Sequence, residues 1–198
     1  MATRQEGRAA PGLMGWLNGR HHRAALNGYL LIVLGHWAEH VVQAYQIWVL
    51  GLPRPQARGV LGQFYPWLVT SEWLHHGYAI VMLVGLFLLR PGFVGRSKTW
   101  WTVALAIQFW HHIEHLLLLI QVQAGVTFFG AAAPTSIAQL VVPRVELHLF
   151  YNSVVFIPMV VAMYLHLRPT PAELATMSCS CRPRYTPRPV AAPTPSAV

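Results

Sequence analysis

The chain has 198 residues, of which 55% are hydrophobic and only 10% are charged. Because soluble globular domains average about 25% charged residues, this composition excludes an ordinary soluble protein and indicates an integral membrane protein. The formal net charge is +8. The basic residues flank apolar segments, so we expect the partner of this charge to be a lipid bilayer and not a nucleic acid.

Four apolar segments follow one another along the chain. Each is long enough to cross a hydrocarbon core of about 30 Å, which takes about 20 helical residues. Pro and Gly punctuate the segment ends, as in "GLPRP", "RPGFVGR" and "LRPTP". We therefore predict an all-α protein that forms an integral membrane four-helix bundle. Its helices are expected near residues 26–51, 70–89, 100–122 and 144–167.

The basic residues are distributed unevenly between the connecting segments. Of the 14 Arg and Lys residues, only Arg54, Arg58 and Arg144 fall on one side of the predicted membrane. By the positive-inside rule both termini are then cytoplasmic, in a multi-pass protein of the bacterial plasma membrane. The Pro-rich composition near the C-terminus predicts disorder there. The expected divisions are a cytoplasmic N-terminal arm at 1–24, a four-transmembrane-helix domain at 25–168 and a disordered cytoplasmic tail at 169–198.

Two short motifs occur twice in the same order. The first and third segments contain "HWAEHVVQAYQ" and "HHIEHLLLLIQ", which share His-x-x-Glu-His and a later Gln, so that His36 corresponds to His111. The second and fourth contain "LHHGY" and "LHLFY", which share Leu-His-x-x-Tyr, so that His75 corresponds to His148 at nearly the same offset. This pattern predicts an internal repeat of two transmembrane hairpins, related by an axis along the membrane normal.

Each predicted helix places ionisable side chains on one face, although such residues are costly in hydrocarbon and usually functional. At about 100° per residue, the His-x-x-Glu-His residues form one stripe on their helix, whereas His112 points away from it. At about 1.5 Å per residue, all four groups lie within about 8 to 16 Å of the outer helix ends, in the extracytoplasmic half. The predicted metal ligands are His36, Glu39, His40, Glu72, His75, His76, His111, Glu114, His115 and His148.

These residue types predict a transition-metal site, because imidazole and carboxylate both bind iron, copper and zinc. Glu72-x-x-His75 also fits the Glu-x-x-His motif of four-helix di-iron proteins. We therefore predict a membrane oxidoreductase or oxygenase with a dinuclear His/Glu site, with iron as the first choice and copper or zinc next. Tyr78 and Tyr151 each follow a repeated histidine by three positions and are the candidate catalytic redox residues.

The histidine spacing resembles, in its chemistry, the histidine boxes of membrane desaturases and hydroxylases. His36-x-x-x-His40 is similar to the first box, and Glu72-x-x-His75-His76 to the second with its leading histidine replaced. His111-His112-x-x-His115 approximates the third. The resemblance is one of chemistry and not of family membership, since those enzymes usually hold their site at the cytoplasmic face, whereas this topology predicts the outer half.

Two other functions also fit the pattern. One is a b-type haem cytochrome with His40 and His115 as the two axial ligands. The other is a non-enzymatic protein that handles protons or metal ions, or an accessory subunit of a larger membrane complex. The apolar loops at 52–69 and 123–143 indicate either interfacial anchoring or an entry for a lipophilic small-molecule substrate.

The two cysteines allow several interpretations. Cys179 and Cys181 have a single residue between them, which makes a disulfide difficult, so no disulfide framework is expected. The segment from Met177 to Cys181 would suit Cu(I) binding, palmitoylation, or an inert tail.

Overall fold

A computed structural model describes residues 12–182, so the N-terminal arm up to residue 11 and the tail from residue 183 lie outside the described residues. The regular secondary structure of residues 12–182 is entirely helical, with no β-strand among them, which confirms the all-α prediction. Short 3-10 turns occur at Arg54–Gln56, Arg90–Gly92 and Ala138–Leu140. The α-helices are α1 (Leu13–Asn18), α2 (His22–Trp48), α3 (Leu61–Phe64), α4 (Trp67–Thr70), α5 (Glu72–Leu89), α6 (Gly95–Ala124), α7 (Arg144–Leu167) and α8 (Pro171–Thr176).

Three helices of the described part are long and apolar enough to cross a membrane: Glu72–Gly92, Gly95–Ala124 and Arg144–Leu167. This finding supports a membrane protein. The first predicted span differs from the others. Helix α2 has 27 residues, which is about 40 Å of helix, but polar residues along it lower its apolar content. It is therefore not among the three.

The four long helices α2, α5, α6 and α7 surround a common interior. Helix α6 packs along both α5 and α7, and α2 contacts α5 and α7. One half of the interior is apolar and contains Leu86, Trp101 and Met159, all fully buried. Indole and phenol groups need partners when buried. Trp101 Nε1 donates to the Leu86 carbonyl at 2.7 Å, and Tyr29 Oη donates to the Met82 carbonyl at 2.8 Å.

The chain after α7 folds back against the helix ends. Thr170 caps α8, and Pro171 occupies the first helical position, where its missing N–H costs no hydrogen bond. Glu173 accepts from Arg96 at 3.1 Å and from the Thr170 amide at 2.8 Å. The Arg96 guanidinium, together with the backbone amides of Thr170 and Arg96, holds the pKa of Glu173 well below its usual range.

Part of the predicted disordered tail is thus ordered. Helix α8 lies within it, and the side chains of Met177, Cys179 and Cys181 are buried. The composition of this segment predicts disorder because Pro and Thr are frequent in it. In this segment those residues cap a helix instead. The rest of that tail, from residue 183, lies outside the described residues.

Candidate metal centre

Six histidine rings from all four long helices meet near one end of the interior. They form the histidine cluster, which consists of His36 and His40 of α2, His75 of α5, His111 and His115 of α6, and His148 of α7. The His148 ring centroid lies 5.2 Å from that of His40 and 5.1 Å from that of His115. The ring centroids of His75 and His115 are 6.1 Å apart. Spacing of four positions places each same-helix pair on one face, as the sequence predicts.

The tightest part of the cluster is formed by His111, His115 and His148. One ring nitrogen of each lies within 4.8 Å of the others, and all three residues are buried. The Nε2 atoms of His111 and His115 are 3.2 Å apart. These side chains could therefore hold a metal ion.

The tautomer of His148 follows from its hydrogen bond. Its Nδ1 lies 2.7 Å from the Arg144 carbonyl oxygen. Because a carbonyl oxygen only accepts, Nδ1 carries the proton and Nε2 carries a lone pair. That Nε2 is buried and has no hydrogen-bond partner among residues 12–182. An N–H held by a backbone carbonyl is the usual arrangement of a metal-binding histidine.

The same arrangement occurs on two other members of the cluster. His75 Nδ1 donates to the Ser71 carbonyl at 2.9 Å, so its Nε2 carries the lone pair. His40 Nδ1 donates to Gln43 Oε1 at 2.8 Å, and its Nε2 lies 3.1 Å from His36 Nε2. Nitrogens this close either share a proton or bind a common cation.

The predicted carboxylate ligands have other partners. Glu39 accepts from the Val60 and Leu61 amides, at 2.7 and 3.1 Å. Glu114 accepts from the Ala138 amide at 3.1 Å. These contacts satisfy backbone donors of the connecting loops.

The remaining two carboxylates of the long helices bind arginines. Glu72 forms a two-pronged ion pair with Arg144, with one N–O distance of 2.8 Å. Glu146 pairs with Arg54. The structure thus brings the histidines together and holds Glu39, Glu72 and Glu114 in other contacts. The sequence does offer a signal for these ion pairs, because Arg54 and Arg144 are among the few basic residues near the histidine-rich helix ends.

His76 and His112 form a separate pair between α5 and α6, with ring centroids 4.9 Å apart. Within the described part of the chain, neither makes a ring contact with the histidine cluster. The sequence predicts His76 as a metal ligand, but its ring contacts His112 and not the histidine cluster. His112 was expected to point away.

The rings of Tyr78 and Tyr151 each contact one histidine of the cluster. The Tyr78 ring stacks on His36 at 3.7 Å, and the Tyr151 ring lies 4.3 Å from His111. Tyr78 Oη donates to the Ile32 carbonyl at 3.2 Å. Tyr151 Oη accepts from Trp110 Nε1 at 2.9 Å. No sequence signal pointed to the Trp110 contact, because Trp is common in membrane helices for other reasons.

Two cavities open onto the cluster. One of about 330 Å³ reaches His36, His40 and His75 between α2, α5 and the loop that follows α2. Much of its wall is apolar, with Leu61, Leu68, Val69 and Leu74. A second of about 380 Å³ reaches His40, His75 and His148 beside Arg54 and Arg144. Both volumes fall in the range typical of small-molecule sites.

The interior of the cluster is nearly filled. A cavity of about 10 Å³ lies between His36, His75, His111 and His115, about the space that one water-sized sphere occupies. A metal ion fits this scale, whereas a porphyrin does not. The His148 ring lies 5.2 Å from the His40 ring and 5.1 Å from the His115 ring, so this structure shows no porphyrin-sized space between the two predicted axial ligands.

Comparisons with protein-family models, with curated proteins and with solved structures found no match to this chain.

Proposed function

We propose that this chain is an integral membrane metalloprotein, a redox protein whose histidine cluster holds two transition-metal ions. One observation carries the proposal. His148 Nε2 is a buried lone pair with no partner in the described range, and it faces the nitrogens of His111 and His115. Buried polar atoms normally have a hydrogen-bond partner. A buried nitrogen that has none and faces two further imidazoles therefore supports a bound cation at this position.

The proposed membrane topology has four spans, with α2 as the fourth. Helix α2 is similar in length to the three candidate spans and packs against α5 and α7. His40 and Gln43 are buried, so part of its polarity faces the interior and not lipid. A bundle of four antiparallel spans places both termini on one side, and the positive-inside rule assigns that side to the cytoplasm.

Corresponding contacts support the proposed internal repeat. His36 lies on Tyr78 as His111 lies on Tyr151. Gln46 bonds the loop that follows α2 through Gly59, and Gln121 bonds the loop that follows α6 through Thr135. In the first motif, three pairs of positions share one sequence offset: His36 and His111, His40 and His115, Gln46 and Gln121. In the second motif, two pairs share a nearly equal offset: His75 and His148, Tyr78 and Tyr151.

The repeat also supports a count of two ions. It maps His111, His115 and His148 onto His36, His40 and His75, which are the three histidines that line the 330 Å³ cavity. Each set offers three imidazoles, and a site with three protein ligands leaves a coordination position open for water or substrate. Because the carboxylates are bound to backbone amides and arginines, the proposed metal ligands are imidazoles only and not the predicted His/Glu set. Imidazole suits iron, copper and zinc, and redox chemistry favours iron or copper.

Charge supports a cation at this end. Glu39 lines the cavity beside His36 and His40. Within residues 12–182, neither Glu39 nor Glu114 forms an ion pair with Arg or Lys. Arg58, which is outside the ion pairs of the described residues, also lines this cavity, so the two carboxylates leave one net negative charge at this end, and a bound cation would balance it.

The proposed reaction class is oxidation or oxygenation of a small apolar molecule. A bound redox metal would supply electron transfer or oxygen activation. The chain itself supplies the apolar walls next to His36, His40 and His75, which admit a lipophilic substrate and exclude water. The other half of the interior, around Leu86 and Met159, is packed with apolar side chains. It therefore favours this function over a proton relay across the membrane.

Metal analysis with matched variants tests the proposal. We expect the purified full-length protein to contain two iron or copper ions per chain and His148→Ala to lose the ion of its own triad, which is about half of the total. His76→Ala and His112→Ala, which remove histidines of α5 and α6 outside the cluster, should retain the wild-type content. The absorption or paramagnetic resonance spectrum should change on reduction in the wild type, and this change should be about half as large in His148→Ala. A Soret band, or full metal content in His148→Ala, would contradict the proposal.

A further inference from the structure

The ends of α2 and α7 opposite the histidine cluster carry a second set of metal-binding side chains. His22 at the start of α2, His166 at the end of α7, and Cys179 and Cys181 beyond α8 each offer one ligand atom. These four atoms lie within 4.8 Å of one another, and all four residues are buried. We name this set the tail cluster. His148 and His166 share one helix, as do His22 and His40, and a rise of about 1.5 Å per residue separates the two clusters by about 27 Å.

We propose that the tail cluster is a structural zinc site, with the two imidazoles and the two thiolates as a complete tetrahedral ligand set. Two nitrogen and two sulfur ligands in tetrahedral arrangement are typical of zinc. The set has four protein ligands, so it leaves no open position for substrate. This site is independent of the proposed redox function.

Unpartnered nitrogens support the site. Both ring nitrogens of His22 are buried without a hydrogen-bond partner in the part of the chain that the structure describes, and so is His166 Nδ1. The exposed fraction is 0% for His22 and 2% for His166. A buried imidazole with two unsatisfied nitrogens is costly in an apolar environment. Zinc bound at His22 would remove part of this cost.

The surrounding backbone holds the ligands in place. The His22 ring lies so close to Gly92 that a Cβ at this position would clash with the ring. Cys179 Sγ lies 3.3 Å from His166 Nε2. The residue between the two thiols also anchors the tail. The Ser180 amide donates to the Gly19 carbonyl at 2.9 Å, and Ser180 Oγ accepts from the Arg23 amide at 3.1 Å.

Charge balance favours a divalent ion. Zinc binds cysteine as thiolate, so binding at Cys179 and Cys181 forms two Zn–S bonds and releases two protons to solvent. One Zn²⁺ with two thiolates and two neutral imidazoles has no net charge, which suits a buried site. Both thiols are free and buried, so palmitoylation would require the tail to leave its position.

Two measurements on the full-length protein in detergent test this site. The first is zinc content: wild type should carry about one zinc more than the Cys179→Ser/Cys181→Ser variant. His21→Ala is the matched control, because His21 is adjacent to His22 and stacks on Trp16 outside the tail cluster. Equal zinc in the double variant and wild type, or copper in place of zinc, would overturn the proposal.

The second measurement needs no variant and so remains decisive if the double variant does not fold. Alkylation of Cys179 and Cys181 by N-ethylmaleimide is followed before and after zinc is removed with a chelator. Metal-bound thiolates are protected, so we expect alkylation on the order of tenfold faster after chelation and slow again when zinc alone is returned. An alkylation rate that neither chelator nor zinc changes would overturn the site.

Discussion

The two ends of the long helices gather metal-binding side chains of different chemistry. The histidine cluster offers imidazole only, and cavities of about 330 and 380 Å³ open onto it. The tail cluster combines two imidazoles with two thiols, and all four residues are buried. Catalytic metal sites usually keep an open coordination position and structural ones do not. This difference supports the proposals of a redox site at one end and a structural zinc site at the other.

The largest expected effect is independent loss of metal at each end. His111→Ala/His115→Ala should remove at least half of the iron or copper and leave zinc, because it destroys one of the two proposed triads, whereas the tail cluster lies about 27 Å away and shares no ligand with it. Metal content per chain, measured beside Cys179→Ser/Cys181→Ser, checks this separation. Loss of both metals from either variant, with the helical content of wild type retained, would show that the two ends are one coupled unit.

The next effect is at the two ion pairs of the histidine end, Glu72–Arg144 and Glu146–Arg54. In the Glu72–Arg144 pair the side chains are 10% and 38% exposed, and in the Glu146–Arg54 pair they are 23% and 54% exposed. Arg144→Leu should lower the free energy of unfolding by about 1–3 kcal/mol, because it leaves Glu72 largely desolvated and unpaired.

The matched change Arg54→Leu should cost less than about 1 kcal/mol, because its pair is more exposed to solvent. Denaturant unfolding in detergent measures both variants. If the two variants lose the same free energy of unfolding, exposure does not decide the strength of these pairs.

A comparable effect is expected where a glutamine holds each loop over the histidine cluster. Gln121 is fully buried and bonds Phe128 and Thr135 through three backbone groups, whereas the side chain of Gln46 bonds only Gly59 among residues 12–182. Gln121→Leu should therefore destabilise by about 2–3 kcal/mol and Gln46→Leu by about 1 kcal/mol. Hydrogen exchange should become faster in the loop after α6 for the first variant and in the loop after α2 for the second. The reverse order of stability would contradict the contacts.

The smallest effect is pH dependence at the tail end. Because the pKa of Glu173 is lowered in the folded protein, its stabilising contribution is present above its ordinary pKa and is lost as pH falls through the folded value. Its partner Arg96 is half-exposed, so solvent screens the pair and the effect is limited to local opening of α8. Hydrogen exchange over residues 171–176 should be faster at acid pH relative to the helix core, and Glu173→Gln should remove most of this dependence. An unchanged pH profile in the variant would exclude Glu173 as the cause.

The sequence predicted the helical class and the meeting of the histidines, because both depend on regular spacing. His36 and His40, or His111 and His115, must share a helix face when they are four positions apart. The sequence did not predict that Glu39 and Glu114 would bind loop amides, although they lie on the same stripes. Helix periodicity describes only the helix and carries no information about which backbone donors a loop presents.

The sequence carries little information about the tail cluster. Cys179 and Cys181 were visible as potential ligands, but His22 and His166 fall outside the repeated motifs. Nothing in the spacing of His22, His166 and Cys179 indicates proximity, because the contact depends on the chain folding back after α7. Composition also favoured disorder for this segment, although a short helix, α8, begins there at Pro171.

X-ray absorption at the metal edges of the purified wild-type protein tests the central claim most directly. The account predicts iron or copper surrounded by nitrogen and oxygen only, and zinc with sulfur neighbours at about 2.3 Å together with nitrogen at about 2.0 Å. A redox metal with sulfur neighbours would contradict the assignment of the histidine cluster. Zinc without sulfur neighbours would contradict the assignment of the tail cluster.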